Sequence, residues 1–457
     1  MAANTVSNRQ GKPPGPRDFL GLRTVDAMKR NPLQLMIDLH NTYGEIVHHT
    51  LLNAPVYFFT HPDHIGHMLQ ENHRNYQRSR DYRKLRRLLG NGLVTNDGAS
   101  WLKQRRLMQP AFHRRRIAGF GETMVQETQE MLAQWEGPAS SGSPLDVSVE
   151  MMRVTLNIVS RVMFGAEVQG DAARLEPLVT MAQREVRKRL YVLVDVPEWI
   201  PLPGNRRSRS ARQTIDAVVT RIIQARRQSN SPQEDDLLSM LLEARDPDTG
   251  EPMDDDQLRD EVRTIFLAGH ETTANALTWT WYLLARNPDA ARRLREELAQ
   301  VLNGRLPTVA DVPQLPYTKM VIEESMRLLP PVWSLSREAI ADDEIGGYRI
   351  PAGSTVVMSQ YLTHRHPDFW EDPEAFSPER FAPERAKERH RFAYFPFGAG
   401  PRLCIGNNFA MLEAQLLLAT IAQQYELDLV PEHPVELEPL ITLRPKHGMM
   451  MTLRPCA

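Results

Sequence analysis

The chain has 457 residues, 41% of them hydrophobic and 25% charged, an ordinary globular balance in a chain long enough to bury a large core. Its formal net charge of −2 gives no basic field for nucleic acid. With Cys404 and Cys456 as its two cysteines, it offers no disulfide framework and no zinc or iron–sulfur site built on four thiolates.

The N-terminal stretch MAANTVSNRQGKPPGPRDFLGL has no apolar run of the kind a signal peptide or membrane anchor needs, so a cytoplasmic protein without an integral anchor is expected. Its Pro and Gly residues predict an extended lead-in. Residues 45–60, EIVHHTLLNAPVYFFT, predict two short strands around Asn53, Ala54 and Pro55. From about 100 to 310 apolar residues recur at i, i+3 and i+4, as over 148–165, 212–227 and 236–244, and predict helices. Residues 196–205, VPEWIPLPGN, hold three prolines and should interrupt them. Residues 254–287 predict one unusually long helix. Asp254, Asp255 and Asp256 favour its start, and Asn287 before Pro288 ends it. It would be roughly 50 Å long, enough to cross a domain. Short strands and prolines around 346–359 follow, then a helix over 407–425 and strands over 426–455. With no repeat, low-complexity tract or linker, one domain over 1–457 is expected, mostly α with a small β lobe built from both ends.

Residues 395–406 read FPFGAGPRLCIG. Gly398, Gly400 and Gly406 remove side chains around Cys404, which suits backbone approaching a flat ligand. A helix predicted just after Cys404 would turn its N–H groups toward a thiolate. Arg402 offers forked donors suited to a carboxylate.

In the middle of the long helix stands LAGHETTAN. Gly269 weakens a helix interior by about 1 kcal/mol against alanine. Thr272 and Thr273 can bond back to carbonyls four residues earlier, for Thr272 that of Ala268. Such a helix can open a groove for a small ligand, with Glu271 as an ionisable group at the same level. Read alone, the segment is equally a Ser/Thr-bent helix with a surface glutamate.

The spacing Phe397-x-x-Gly400-x-Arg402-x-Cys404-x-Gly406 resembles, without a departure, the heme-binding signature of the cytochrome P-450 superfamily, soluble bacterial type. The resemblance implies a mostly α fold with a small β lobe and a long central helix over a heme b. It makes Cys404 the axial ligand of the heme iron, Arg402 the holder of a propionate and Phe397 the neighbour of the cysteine. Ala268-Gly269-x-Glu271-Thr272-Thr273 is similar to the family's oxygen-activation motif. Thr272 would hydrogen-bond dioxygen, and Glu271 would relay protons from solvent. Trp101 and Arg105, at i and i+4, match a helix whose side chains reach a propionate, and Arg337 is assigned to the other. Glu324, Arg327 and Arg380 of ESMR and SPERF are similar to a buried charge triad that locks the fold. His364 and His366 belong to a family-like stretch and are not read as a metal site, nor is His270.

The implied function is a monooxygenase that inserts one oxygen atom of O2 into a hydrophobic molecule. By family position the pocket takes in the 180–205 region, Ala268 and residues 440–442. Tyr82, Leu85, Leu89, Val94, Leu267, Val332, Trp333 and Ile441 make it mostly apolar. The AGHETT wording resembles soluble fatty-acid hydroxylases, yet the 45–60 strand pair has no arginine for a carboxylate. Fatty acids, terpenoids, steroids and polyketides all stay open. The alternatives are a peroxide-driven peroxygenase, a heme-thiolate isomerase or dehydratase, and a non-catalytic heme sensor. No flavin or iron–sulfur motif occurs in these residues, so a ferredoxin and its reductase are the expected electron donors. Basic residues near 102–115 would meet such a partner.

Overall fold

The predicted long helix runs from Asp255 to Arg286 in the computed structural model, which describes residues 11–18, 21–51, 54–164, 181, 184–185, 199–200, 202–228, 236–246 and 248–456. Asp254 caps it, its carboxylate accepting from the Gln257 amide at 2.7 Å, while Asp255 and Asp256 sit at the positive end of the helix dipole. The helix stops at Asn287, and Pro288 opens the next one, where a missing N–H costs nothing.

This central helix is buried along most of its length, and helices Val147–Phe164, Pro316–Leu328 and Asn407–Ala422 pack on it. Leu277 and Trp279 meet Val154, Ile158, Val321, Leu416 and Leu417 there. Each such side chain contributes about 1.5–3 kcal/mol when fully buried. The hydroxyls of Thr278 and Thr280, which have no water to bond, turn back onto the carbonyls of Ala274 and Ala276 at 2.8 and 2.7 Å.

The main β portion is a five-stranded sheet in the order Ile46–Leu51, Ala54–Phe59, Thr355–Met358, Leu335–Ala339, Tyr76–Arg78. Ala54–Phe59 and Thr355–Met358 run parallel, and the other neighbours are antiparallel. A parallel pair needs a long crossover, which the helical body between residues 60 and 354 supplies. The expectation of one lobe built from both ends is corrected here. The C-terminal strands Tyr425–Leu429 and Met450–Pro455 pair with each other and with Leu145–Asp146 in a separate sheet. In the 196–205 segment the described residues before Pro203 are not helical, and a helix starts at Pro203 and runs to Gln228. Proline is well tolerated at that first helical position. Among the described residues no helix is long and apolar enough to cross a membrane.

Candidate active site

The loop before the Asn407–Ala422 helix is tied to itself. The Cys404 amide donates to the Phe397 carbonyl at 3.0 Å, and the Leu403 amide to that of Gly400 at 3.1 Å. Its three glycines serve two purposes, not one. Gly398 and Gly406 line a cavity, and a Cβ on Gly406 would meet nothing within 4 Å. Gly400 is not on that wall. With φ +66° it lies against the chain at Leu69, where a Cβ would come 1.8 Å from the carbonyl oxygen.

The cavity measures about 880 Å³, in the upper part of the usual range for ligand sites. Cys404 and Ala268 line it, and both are open to it although they stand deep in the fold. An alanine in the middle of a buried helix has no other reason to be uncovered. Burial pushes the Cys404 thiol up, while the Gly406 N–H and Arg105 pull in the opposite direction. Arg105 itself donates to the Leu403 carbonyl at 2.9 Å.

A group of cations forms another wall. Arg78 lies directly opposite Arg337 across two antiparallel strands, a pairing of like charges that is unfavourable by itself. Arg402 joins them, stacks its guanidinium 4.1 Å over the Trp101 ring and pairs with Asp97. Arg78 Nε is buried without a hydrogen-bond partner. Burial first, then Arg337, holds the Arg78 guanidinium down at about 9; burial also brings Arg402 down to about 10. Burial alone would push the Tyr82 phenol up, yet Arg78, Arg337 and Arg402 together pull it below its ordinary value. Arg78 and Arg402 thus both face the carboxylate of Asp97, with Arg337 as a third cation beside them. The arrangement fits a ligand that brings further carboxylates, as heme does with its two propionates. With the open glycines and Cys404 on the same cavity, the residues present fit heme.

On the central helix the Thr272 hydroxyl donates to the Ala268 carbonyl at 2.8 Å, and that of Thr273 to Gly269 at 3.3 Å. Ala268, Gly269, Glu271 and Thr272 all line the cavity. Glu271 is not a surface glutamate: it is buried and accepts from the Thr442 hydroxyl at 2.6 Å. Asn275 donates its amide to Thr442 at 3.2 Å. His270 is buried with Nδ1 2.7 Å from the Phe266 carbonyl, and burial lowers its pKa.

Tyr82, Leu85, Leu89, Val94, Leu267, Val332, Trp333 and Ile441 line the same cavity, as do Trp101, Arg105, Arg337, Arg402 and Phe397. Most of the 180–205 segment lies outside the described residues. Arg327 donates to both oxygens of buried Glu324, at 2.6 and 2.9 Å, and Arg380 stands 3.4 Å from the same carboxylate. His366 is engaged by Glu45 at 2.7 Å, and His364 accepts from the Phe395 amide at 3.0 Å. Lys103 and Arg106, two of the expected docking cations, already face Asp246, Glu251 and Asp248.

Sequence reasoning passes over Arg78, Asp97 and the role of Thr442. It also misses Glu413, a wholly buried carboxyl that burial pushes well above its usual range and whose two oxygens have no hydrogen-bond partner. Arg78 carries one signal, an arginine closing a three-residue strand. Its meaning depends on the strand opposite.

A family model described as Cytochrome P-450 matches residues 12–452. The chain is 38% identical over 418 residues to cyclooctatin synthase of Streptomyces melanosporofaciens, covering 91% of this chain and 90% of that one. It is 36% identical over 424 residues to cyclooctat-9-en-7-ol 5-monooxygenase of the same organism, with 92% and 90% covered. To pentalenene oxygenase of Streptomyces avermitilis it is 33% identical over 419 residues, 91% of each chain.

Proposed function

The chain belongs to the cytochrome P-450 family and is a heme-dependent monooxygenase acting on a hydrophobic small molecule with O2, and from that premise we propose that Cys404 holds its heme b and that a terpenoid is its substrate. Heme ligated by a thiolate supplies the activation of dioxygen. The support for Cys404 is its position, open on a cavity whose other walls carry the arginine group and residues 268–272 of the central helix.

In this reading Arg402, Arg337 and Arg78, whose Nε has no hydrogen-bond partner, hold the propionates, with Trp101 as the plate on which Arg402 stacks. Arg105 acts mainly on Cys404, favouring the thiolate by charge and fixing the Leu403 carbonyl. Thr272 keeps a hydroxyl on the cavity wall, ready to leave its backbone partner and donate a proton. Glu271, with Thr442 and Asn275 behind it, holds the next proton in line. Glu324, Arg327 and Arg380 position the segments around the cysteine loop. Two names among the relatives, cyclooctat-9-en-7-ol 5-monooxygenase and pentalenene oxygenase, support a terpenoid, as does the apolar lining. The whole chain acts as one heme domain, cytoplasmic, and takes its electrons from a separate ferredoxin and reductase. The exposed Arg114 and Arg115 are the cations left to meet that partner.

The test is a spectral binding screen of the purified heme protein against terpenes, steroids and fatty acids, followed by turnover with ferredoxin, its reductase and NADPH. Terpenoids should shift the spin state and be hydroxylated or epoxidised. A screen answered by fatty acids alone would refute the substrate class, and a product made with hydrogen peroxide but not with the electron donors would make the protein a peroxygenase.

A further inference from the structure

Part of the cavity is walled by the five-stranded sheet and by the helices Leu22–Arg30 and Pro32–Tyr43. Strand register puts His49 opposite Val56 and Val56 beside Thr355, with Phe58 beside Val357 two residues on. Paired residues share a face, so this wall is one face of the sheet. The helices bring Val25, Met28 and Met36 to it. In these apolar surroundings two polar side chains stand out. His49 is 4% exposed, and neither ring nitrogen has a hydrogen-bond partner. Gln360, two residues past the end of the Thr355–Met358 strand, is 0% exposed, and neither its amide nitrogen nor its amide oxygen has a partner. Both line the cavity.

Buried polar groups are nearly always paired, and two orphans on one cavity wall call for a partner that the cavity admits. We infer that His49 and Gln360 are two separate polar points on this wall, one level with Thr355 and the other beyond Met358, and that one of them takes a neutral oxygen, a hydroxyl or a carbonyl, carried by an otherwise hydrophobic substrate. The inference rests on the terpenoid monooxygenase reading and narrows it to an already oxygenated terpenoid. A neutral oxygen fits better than a carboxylate for a stated reason. Burial, with His48 adding to it, holds the His49 imidazole down at about 4, so at neutral pH it is an uncharged donor and acceptor. Gln360 is likewise both donor and acceptor. A carboxylate on this wall would be a buried charge without a counter-ion, whereas an alcohol satisfies either side chain as donor or acceptor.

The experiment uses the heme-loaded protein and five probes: farnesene, farnesol, farnesoic acid, and the tricyclic pair cedrene and cedrol. Binding is read by the spin-state shift and by the ligand-induced rise in melting temperature. The unsubstituted protein should bind each alcohol about tenfold more tightly than its hydrocarbon, the ratio expected for one net hydrogen bond, and farnesoic acid more weakly than farnesol. His49→Leu or Gln360→Met, or both, should reduce that ratio toward one while hydrocarbon affinity, heme content and the ferrous–carbonyl band stay as they were. Their melting temperatures should not fall, because each change removes a buried unpaired group. If His49→Leu fails to fold, His49→Phe takes its place. Equal affinity for alcohol and hydrocarbon in the unsubstituted protein, or a preference that survives both substitutions, would overturn the subsite and leave the terpenoid reading standing. No binding by any of the five probes would overturn both.

Discussion

Thr442, from a turn near the C-terminus, donates its hydroxyl to Glu271 in the middle of the central helix at 2.6 Å. The bond fixes a buried carboxylate one residue before Thr272 on a cavity that both residues line, where the two would form the proposed proton relay. A relay of this kind contributes on the order of 10²- to 10⁴-fold. Thr272→Ala and Glu271→Gln should keep heme and substrate binding while product per NADPH falls and hydrogen peroxide is released instead. Thr442→Val should do the same to a smaller degree, since it removes only the group that orients Glu271. Parallel measurement of NADPH, product and peroxide decides. Unchanged coupling in all three variants would leave these residues with a structural role only.

Cys404 and Cys456 should behave as opposites. Cys404→His should abolish the thiolate-type Soret band of the ferrous–carbonyl protein. Cys456→Ser should change neither heme content nor spectrum, because that thiol lies at the chain's end with only a weak contact to the Ala422 carbonyl at 3.7 Å. A thiolate band that survives in the Cys404 variant would disprove the ligand assignment.

The register partners Arg78 and Arg337 repel each other unless an anion lies between them. Arg78→Leu or Arg337→Leu should therefore leave the heme-free protein as stable as before, or more so. The same changes should weaken heme retention by about 1–3 kcal/mol, the value of a charged hydrogen bond lost from a buried site. Melting curves of apo and heme-loaded protein, with rates of heme transfer to an acceptor protein, separate the two effects. Equal destabilisation of both forms would show that the arginines serve the fold and not the cofactor.

Glu261, on the central helix, accepts the Leu93 amide at 2.9 Å, and burial raises its carboxyl to about 8 from an ordinary value of 4.5. The native protein therefore holds this proton more tightly than the unfolded chain does. The resulting stability is complete below about pH 4.5 and is lost as pH rises through about 8. Between pH 5 and 8.5 the melting temperature should fall less in Glu261→Gln than in the unsubstituted protein. Parallel slopes would rule out a protonated Glu261.

Arg327 and Glu324 are both wholly buried, so removing one partner strands the other's charge. Glu324→Ala or Arg327→Ala should each cost about 3–5 kcal/mol. The double replacement by Leu and Met should cost much less than the sum of the two. Denaturant titration of the four proteins measures the coupling, and simple additivity would contradict a closed pair.

Much of the site is legible in the sequence, because its chemistry is packed into short segments. Cys404 and Arg402 stand two residues apart on one loop, and Ala268, Glu271 and Thr272 within five residues of one helix. The capping aspartates and Asn287 likewise mark the ends of the central helix by local rules. The sequence misleads where a local feature has a distant cause. Gly400 reads as room for a ligand, but the backbone at Leu69 is what requires it. Glu271 is compatible with a surface position until Thr442 covers it.

Local spacing by itself determined the long central helix with both its ends and the helical class, since those signals repeat within a few turns of chain. Only the tertiary structure decided that Arg78 faces Arg337, that Thr442 reaches Glu271, and that His49 and Gln360 share one cavity. The physical reason is register. A strand shows which side chains alternate, but not which strand lies beside it, and a one-residue slip would send Arg78, Arg337 or His49 to the opposite face. Pairing across 259 positions, from Arg78 to Arg337, is fixed by the packing of the whole helical body between them.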